Sequence, residues 1–342
     1  MNDRTAKILL LIVSTVVCML VAEFVLRSFG FYGERHATME NLGPVDDPIL
    51  DYRGRPNLSW VSKGHRYQTN HHGFRDYSYD YRKPADTRRI VVVGDSVTHG
   101  HGVEMEEIYT KVLERRLNQD SQSETQWQVI TLSLGALNTP QEVRLLTRDG
   151  LRYDPDVIVV GYTLNDPASG ASLRTQQENR ANEGTVRRIK RLGRQSSLLF
   201  YTYRALQRLQ WWTRETLGWS ETSSYVERDY FSKLHYDPGS WARVRAAFRE
   251  LEAIETESGI PIYLVIFPIL HDFADYNWLR IHDQVSALAR GHGLEVLDLL
   301  ETFEPYDPVR LQIASGDPIH PNKRGHELAG EALYEFLRSQ GL

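Results

Sequence analysis

Five apolar runs, near residues 90–93, 127–134, 156–162, 260–267 and 294–299, constrain this chain more than any other feature of its sequence. Stretches with helical spacing separate them: Ile108, Val112, Leu113 and Leu117, then Trp241, Val244, Phe248, Leu251 and Ile254, then Leu328, Ala332, Leu333 and Phe336. Strands that alternate with helices form a parallel sheet covered on both faces. The expected fold is therefore α/β, a three-layer α/β/α sandwich around a five-stranded parallel sheet of flavodoxin-like type. Asn322, directly after Pro321, suits the N-cap of the final helix, which puts His320 just ahead of that helix at the active end of the sheet.

With 342 residues and 41% hydrophobic content, the chain has ample material for one large domain or two modest ones. Its formal net charge of −5 offers no general electrostatic attraction to nucleic acid, so that class of partner is set aside. Cys18 is the single cysteine, which excludes an internal disulfide and a cysteine-based zinc site. His71-His72 and His99 with His101 lack the carboxylate spacing that completes a metal ligand set. Neither a metal nor another cofactor is expected.

The first 29 residues form a unit of their own. Ile8 to Ala22 is almost wholly apolar, Phe24-Val25-Leu26 extends it past Glu23 to a 19-residue stretch long enough to cross a bilayer, and Arg4 and Lys7 stand before it as a cytoplasmic N-terminus requires. No small-x-small cleavage site follows, and Val17 ahead of Cys18 is wrong for lipoprotein processing, so an uncleaved signal anchor is favoured. The other reading is a signal peptide removed after Ala22. The anchor implies a single-pass protein of the inner membrane with its main domain on the extracytoplasmic, periplasmic side.

Four segments carry chemistry. Gly94-Asp95-Ser96 follows the apolar run Ile90-Val91-Val92-Val93 and puts a hydroxyl at the carboxyl end of a strand, where open α/β sheets place their reactive groups. In Asp317-Pro318-Ile319-His320, one turn presents an acid and an imidazole together: the carboxylate fixes the tautomer and the far ring nitrogen is left free to take a proton. The run from Asp156 ends in Asn165-Asp166, whose asparagine amide can donate to an oxyanion. Leu132-Ser133-Leu134-Gly135-Ala136 ends another strand and offers a backbone N–H to the same charge. Each piece alone also fits an ordinary strand-to-helix turn, a helix cap, an Asx-turn or a loop.

In this order the four segments resemble the blocks of the SGNH hydrolases, the GDSL esterase/lipase superfamily, over residues 89–342. The resemblance implies Ser96 as nucleophile, His320 as base, Asp317 as its orienter, and an oxyanion hole from the N–H of Ser96, the Asn165 side chain and a backbone donor at Gly135 or Ala136. Two positions depart from the pattern. Thr163 stands where such proteins often carry glycine, and Ala136 rather than Gly135 falls at the glycine position of the second block when Asn138-Thr139-Pro140-Gln141-Glu142 is aligned after it.

Residues 30–88 read as a β-rich or irregular extension, with Asn70 to Asp76 as a turn and Arg75 in a structural salt bridge or near substrate. Residues 167–239 read as a helical insertion, basic from Arg187 to Arg194 and aromatic from Phe200 to Trp212, either a lid that touches anionic lipid, sugar or acyl chain or a surface helix packed on the main domain. The expected function is a serine esterase that removes O-acyl groups, acetyl foremost, from cell-envelope or exported carbohydrate. The alternatives are an O-acyltransferase with the same triad, a lipase or lysophospholipase, and a catalytically idle glycan-binding protein. Expected partners are an acylated carbohydrate or lipid substrate and, through the N-terminal helix, the membrane.

Overall fold

The computed structural model describes residues 3–29, 41–50, 52–62, 64–120, 125–170, 193, 196–199, 201–203, 205–206, 209, 226 and 229–342. The chain divides into two compact units, one of Met1–Thr38, Trp60–Gly64 and Gln177–Ser220, the other of Met39–Ser59, His65–Gln176 and Glu221–Leu342. Most of the 167–239 insertion lies outside the described residues.

In the first unit, helix α1 (Asp3–Ser28) carries an apolar stretch, Lys7–Ser28, that is long enough to span a bilayer. Leu10, Leu11, Leu20 and Phe24 are exposed along it. Glu23 interrupts the stretch, and its carboxylate is engaged on all sides. It accepts from Arg27 Nε at 2.8 Å, from Ser196 Oγ at 2.9 Å, and from the backbone N–H groups of Ser197 and Leu198 at 2.9 and 2.8 Å.

The second unit is built on the parallel sheet. Its strands are β5 (Thr87–Gly94), β6 (Gln126–Ser133), β7 (Val157–Thr163), β8 (Ile262–Phe267) and β9 (Glu295–Asp298), in the spatial order β6-β5-β7-β8-β9. All four neighbouring pairs are parallel, and the order is the flavodoxin-like one expected from the sequence. Before them in the chain run the short strands β1 (Leu42–Pro44) and β2 (Tyr52–Gly54), which pair antiparallel, β3 (Ser59–Ser62), whose last three residues belong to the first unit, and β4 (His65–Gln68).

Alternation of side chains along the strands divides the core in two. Val91, Val93, Ile130, Leu132, Ile158, Val160 and Leu264 face a layer formed by α3 (Thr139–Leu145), α5 (Pro238–Ser258) and α6 (Leu279–Gly291), through Val143, Phe248 and Val285 among others. Ile90, Val92, Val129, Val159 and Val265 face α2 (Tyr109–Asp120) and α7 (Lys323–Ser339), through Leu113, Leu117, Leu333 and Leu337. The period of two in the strands thus places one apolar set under each helical layer. Helix α4 (Tyr230–Tyr236) adds Phe231 to the first core.

Two features fix the ends of these elements near the reactive segments. Asn322 caps α7 as expected: its side-chain oxygen accepts from the N–H groups of Arg324 and Gly325 at 2.9 and 3.2 Å. Gly94 and Gly161 sit in register at the ends of β5 and β7, and the Thr98 hydroxyl occupies the space that a Cβ on either would need.

The extension is tied to the sheet unit by buried charge. Arg75 is 1% exposed and bonds to carbonyl oxygens rather than to a carboxylate or an open pocket: His99 at 2.8 Å, Gly100 at 2.5 Å, Val103 at 2.6 Å and Arg66 at 3.4 Å. Its guanidinium also stacks 3.8 Å above the Tyr67 ring. The expected salt bridge gives way because four backbone acceptors converge here on the two terminal nitrogens of the guanidinium, without a counter-charge. Replacing Arg75 with methionine strands these carbonyls against an apolar chain. The expected cost is about 3 kcal/mol, read by calorimetry as a Tm lowered by roughly 5–10 °C.

Candidate active site

The reactive segments meet at the carboxyl edge of the sheet. Strands β6, β5 and β7 are adjacent, and Ser133, Gly94 and Gly161 stand in mutual register near their ends. Gly135 and Ala136, Ser96 and Asn165 therefore leave three neighbouring strands on one side of the sheet. The turn after Gly94 is held by Asp95, whose Oδ1 accepts from the Val97 N–H at 2.9 Å, and by the N–H of His101, which donates to the Ser96 carbonyl at 3.1 Å.

Across a sequence separation of 224 residues, Ser96 Oγ lies 2.9 Å from His320 Nε2. On the other side of the ring, His320 Nδ1 lies 2.9 Å from both carboxylate oxygens of Asp317. Asp317 Oδ1 also accepts from the N–H groups of Ile319 and His320, at 3.2 and 3.1 Å, so the carboxylate is held by the turn that it orients. The proton on Nδ1 then points at the acid and the lone pair on Nε2 points at the serine hydroxyl, the tautomer that general-base catalysis requires. Neither side chain is sealed off: His320 is 17% and Asp317 23% exposed, which leaves room for a substrate.

This turn is itself braced. Its Pro318 carbonyl accepts from the Leu270 N–H at 2.7 Å, the His320 carbonyl accepts from the Ile313 N–H at 2.9 Å, and Gln312 and Pro321 form an isolated antiparallel bridge. The ring of His101 packs against that of His320 with centroids 4.4 Å apart. Sequence reasoning weighed His101 only as a metal ligand. No cluster of three or more potential metal ligands occurs among the described residues.

Asn165 joins the same group through a shared acceptor. Its Nδ2 donates to Asp95 Oδ2 at 3.2 Å, the oxygen that also lies 3.2 Å from Ser96 Oγ. Gly135 and Ala136 border the site and are exposed. Ala136 has φ +62°, in the left-handed region, whereas Gly135 does not. The residue whose backbone asks for glycine is thus Ala136, in keeping with the alternative alignment of that block, and such strain is characteristic of functional loops. The Gly135 carbonyl is held by the Tyr52 hydroxyl at 3.2 Å.

Beneath these groups lie acids that sequence reasoning did not assign. Asp95, Asp166 and Glu142 are all fully buried. Burial, with the Asp95 charge added, holds the carboxyls of Asp166 and Glu142 well above the usual carboxylate range. Glu142 lies on α3 among apolar positions, and that helical placement was the signal available for it.

A hydroxyl, an imidazole and a carboxylate in line at the carboxyl end of a parallel sheet form the layout of an acyl hydrolase. Residues 92–328 match the GDSL-like Lipase/Acylhydrolase family, and the chain belongs to that family of ester-bond hydrolases. Among solved structures, the chain is similar to a lipase/acylhydrolase from Enterococcus faecalis, with 19% identity, coverage of 74% of this chain and 96% of that one, and a TM-score of 0.42. It is also similar to an acetyl xylan esterase, with 14% identity, 73% and 99% coverage and a TM-score of 0.42. A two-domain esterase active on acetylated mannans gives 14% identity, 74% and 49% coverage and a TM-score of 0.42. No sequence among curated proteins matches the chain.

Proposed function

We propose that this chain is a serine esterase in which Ser96 attacks an ester carbonyl, His320 takes the serine proton and Asp317 orients the base. The observation that carries the reading is the continuous line from Ser96 Oγ through the His320 ring to Asp317, with every contact at 2.9 Å. Asn165 and the N–H groups of Ser96 and of Gly135 or Ala136 supply the oxyanion hole. Water, activated by the same imidazole, releases the acid from the acyl-enzyme.

The substrate we assign is the O-acetyl group of cell-envelope or exported carbohydrate. Support comes from the anchor: α1 has the length and composition of a bilayer span, and a retained span with basic residues before it delivers the enzyme to the periplasmic face of the inner membrane. The ties from Glu23 to residues 196–198 favour retention, since cleavage after Ala22 would sever Glu23 from the helix that presents it.

The test is incubation of the full chain in detergent with acetylated oligosaccharide, together with a serine-directed phosphonate. We expect stoichiometric labelling of Ser96 and release of free acetate. Acetyl transferred intact to a second sugar would identify a transferase, a rate that rises with acyl chain length on model esters would identify a lipase, and absence of labelling and turnover would leave a binding protein.

A further inference from the structure

Thr163 occupies the position two residues before Asn165, and its hydroxyl is the hub of the site's polar contacts. It is 2% exposed. Its Oγ1 lies 2.7 Å from Asn165 Oδ1, 2.8 Å from Asp166 Oδ1 and 3.1 Å from Asp95 Oδ2. A threonine hydroxyl owns one hydrogen and faces three oxygens here, so it donates to one of them, a second contact is a hydrogen bond only if that neighbour brings a proton of its own, and the longest, to Asp95 Oδ2, is left without one.

Asn165 Oδ1 carries no hydrogen and can only accept. Asp166 is the neighbour that can donate: it is fully buried, its Oδ2 already accepts from the Thr163 N–H at 3.1 Å, and the buried acids Asp95 and Glu142 are close enough to act on it electrostatically. Tyr162 on β7 and Tyr109 on α2, among the described residues, also lie around these acids, and burial raises both phenols, so neither supplies a compensating charge. Three carboxyls buried together retain protons rather than ionise fully. A proton on Asp166 Oδ1 donates to Thr163 Oγ1, which frees the threonine hydrogen for Asn165 Oδ1, its shortest contact.

Resting on the esterase reading above, we propose that Thr163 is a positioning residue: its hydroxyl, fed by the Asp166 proton, holds the Asn165 carbonyl inward so that Nδ2 faces the reaction side. An amide turned over would present an acceptor to the oxyanion instead of a donor, and Asp95 Oδ2 would meet oxygen rather than N–H. The threonine that departs from the usual glycine thereby does a task that glycine has no atoms to do.

The test compares the full chain in detergent as wild type, Thr163→Val, Thr163→Ser, Asn165→Ala and the Thr163→Val/Asn165→Ala pair, on p-nitrophenyl acetate. Thr163→Val keeps the volume but removes the hydroxyl; if it does not fold, Thr163→Ala makes the same comparison. Expected are a kcat lower by ~10-fold or more with KM unchanged, recovery in Thr163→Ser, and no further loss when Thr163→Val is added to Asn165→Ala. Equal losses from Thr163→Val in both backgrounds, or wild-type kcat in Thr163→Val, would overturn the assignment while leaving the esterase reading intact. A wild type that neither turns over the ester nor takes a phosphonate label would overturn both.

Discussion

Ser96→Ala is expected to abolish ester turnover while leaving the fold in place. Among the described residues the serine oxygen is the only hydroxyl hydrogen-bonded to the His320 ring, at 2.9 Å from Nε2, and its removal takes away both the attacking atom and the proton that the base would accept. Loss of a triad nucleophile lowers kcat by on the order of 10⁵ to 10⁶, and what remains comes from the oxyanion donors and substrate binding alone. The cost in stability is small by comparison. Ser96 is half-buried, Val97 N–H still holds Asp95, and the His101 N–H still holds the backbone carbonyl of residue 96. A change of about 1 kcal/mol or less is expected. Initial rates on p-nitrophenyl acetate beside a thermal melt separate the two quantities, and a variant with unchanged rates and an unchanged melt would remove Ser96 from the mechanism.

The parts of the site legible in the sequence are those fixed by local pattern. An apolar run that ends in Gly-Asp-Ser places its serine at a strand end, and an Asp-x-x-His turn followed by Pro-Asn places its imidazole before a helix, because strand ends and caps are set within a few residues. The five strands and their parallel pairing followed from the alternation of apolar runs with helical stretches. What escaped the sequence depends on groups that meet only through the fold. Arg75 gives no local hint that its partners are carbonyls, since every residue carries one. Thr163 reads from sequence as a departure from pattern, because the carboxyls that make its hydroxyl useful come from Asp95, 68 positions away, as well as from Asp166, three positions on. Glu142 has the spacing of a core position on α3 and the chemistry of an acid, and only the packing of α3 shows that its oxygens lie in the interior. The 167–239 insertion offered composition without periodicity, and most of it lies outside the described residues.

Asp317→Asn is expected to be nearly as damaging as loss of the nucleophile, although it changes one oxygen to nitrogen. Asp317 Oδ1 is claimed by the N–H groups of Ile319 and His320, both of which need an acceptor. The asparagine carbonyl therefore takes that place, and its NH₂ falls where Oδ2 stood, 2.9 Å from His320 Nδ1. The oxygen that remains is also 2.9 Å from Nδ1 but already serves two backbone donors, so the NH₂ takes the Nδ1 lone pair and the imidazole proton moves to Nε2. A ring with its proton on Nε2 points hydrogen at the Ser96 hydroxyl and has no lone pair there to take one. The expected fall in kcat is on the order of 10⁴, the scale of a wrong tautomer in a serine triad, with KM changed little because the acid lies behind the ring. Stability should hold within about 1 kcal/mol, since both backbone donors stay satisfied. A histidine-selective NMR measurement reads the tautomer directly: wild type should carry the ring proton on Nδ1 and the variant on Nε2. A variant with the proton still on Nδ1 and the rate still lost would show that the charge of Asp317, rather than its control of the tautomer, is what catalysis needs.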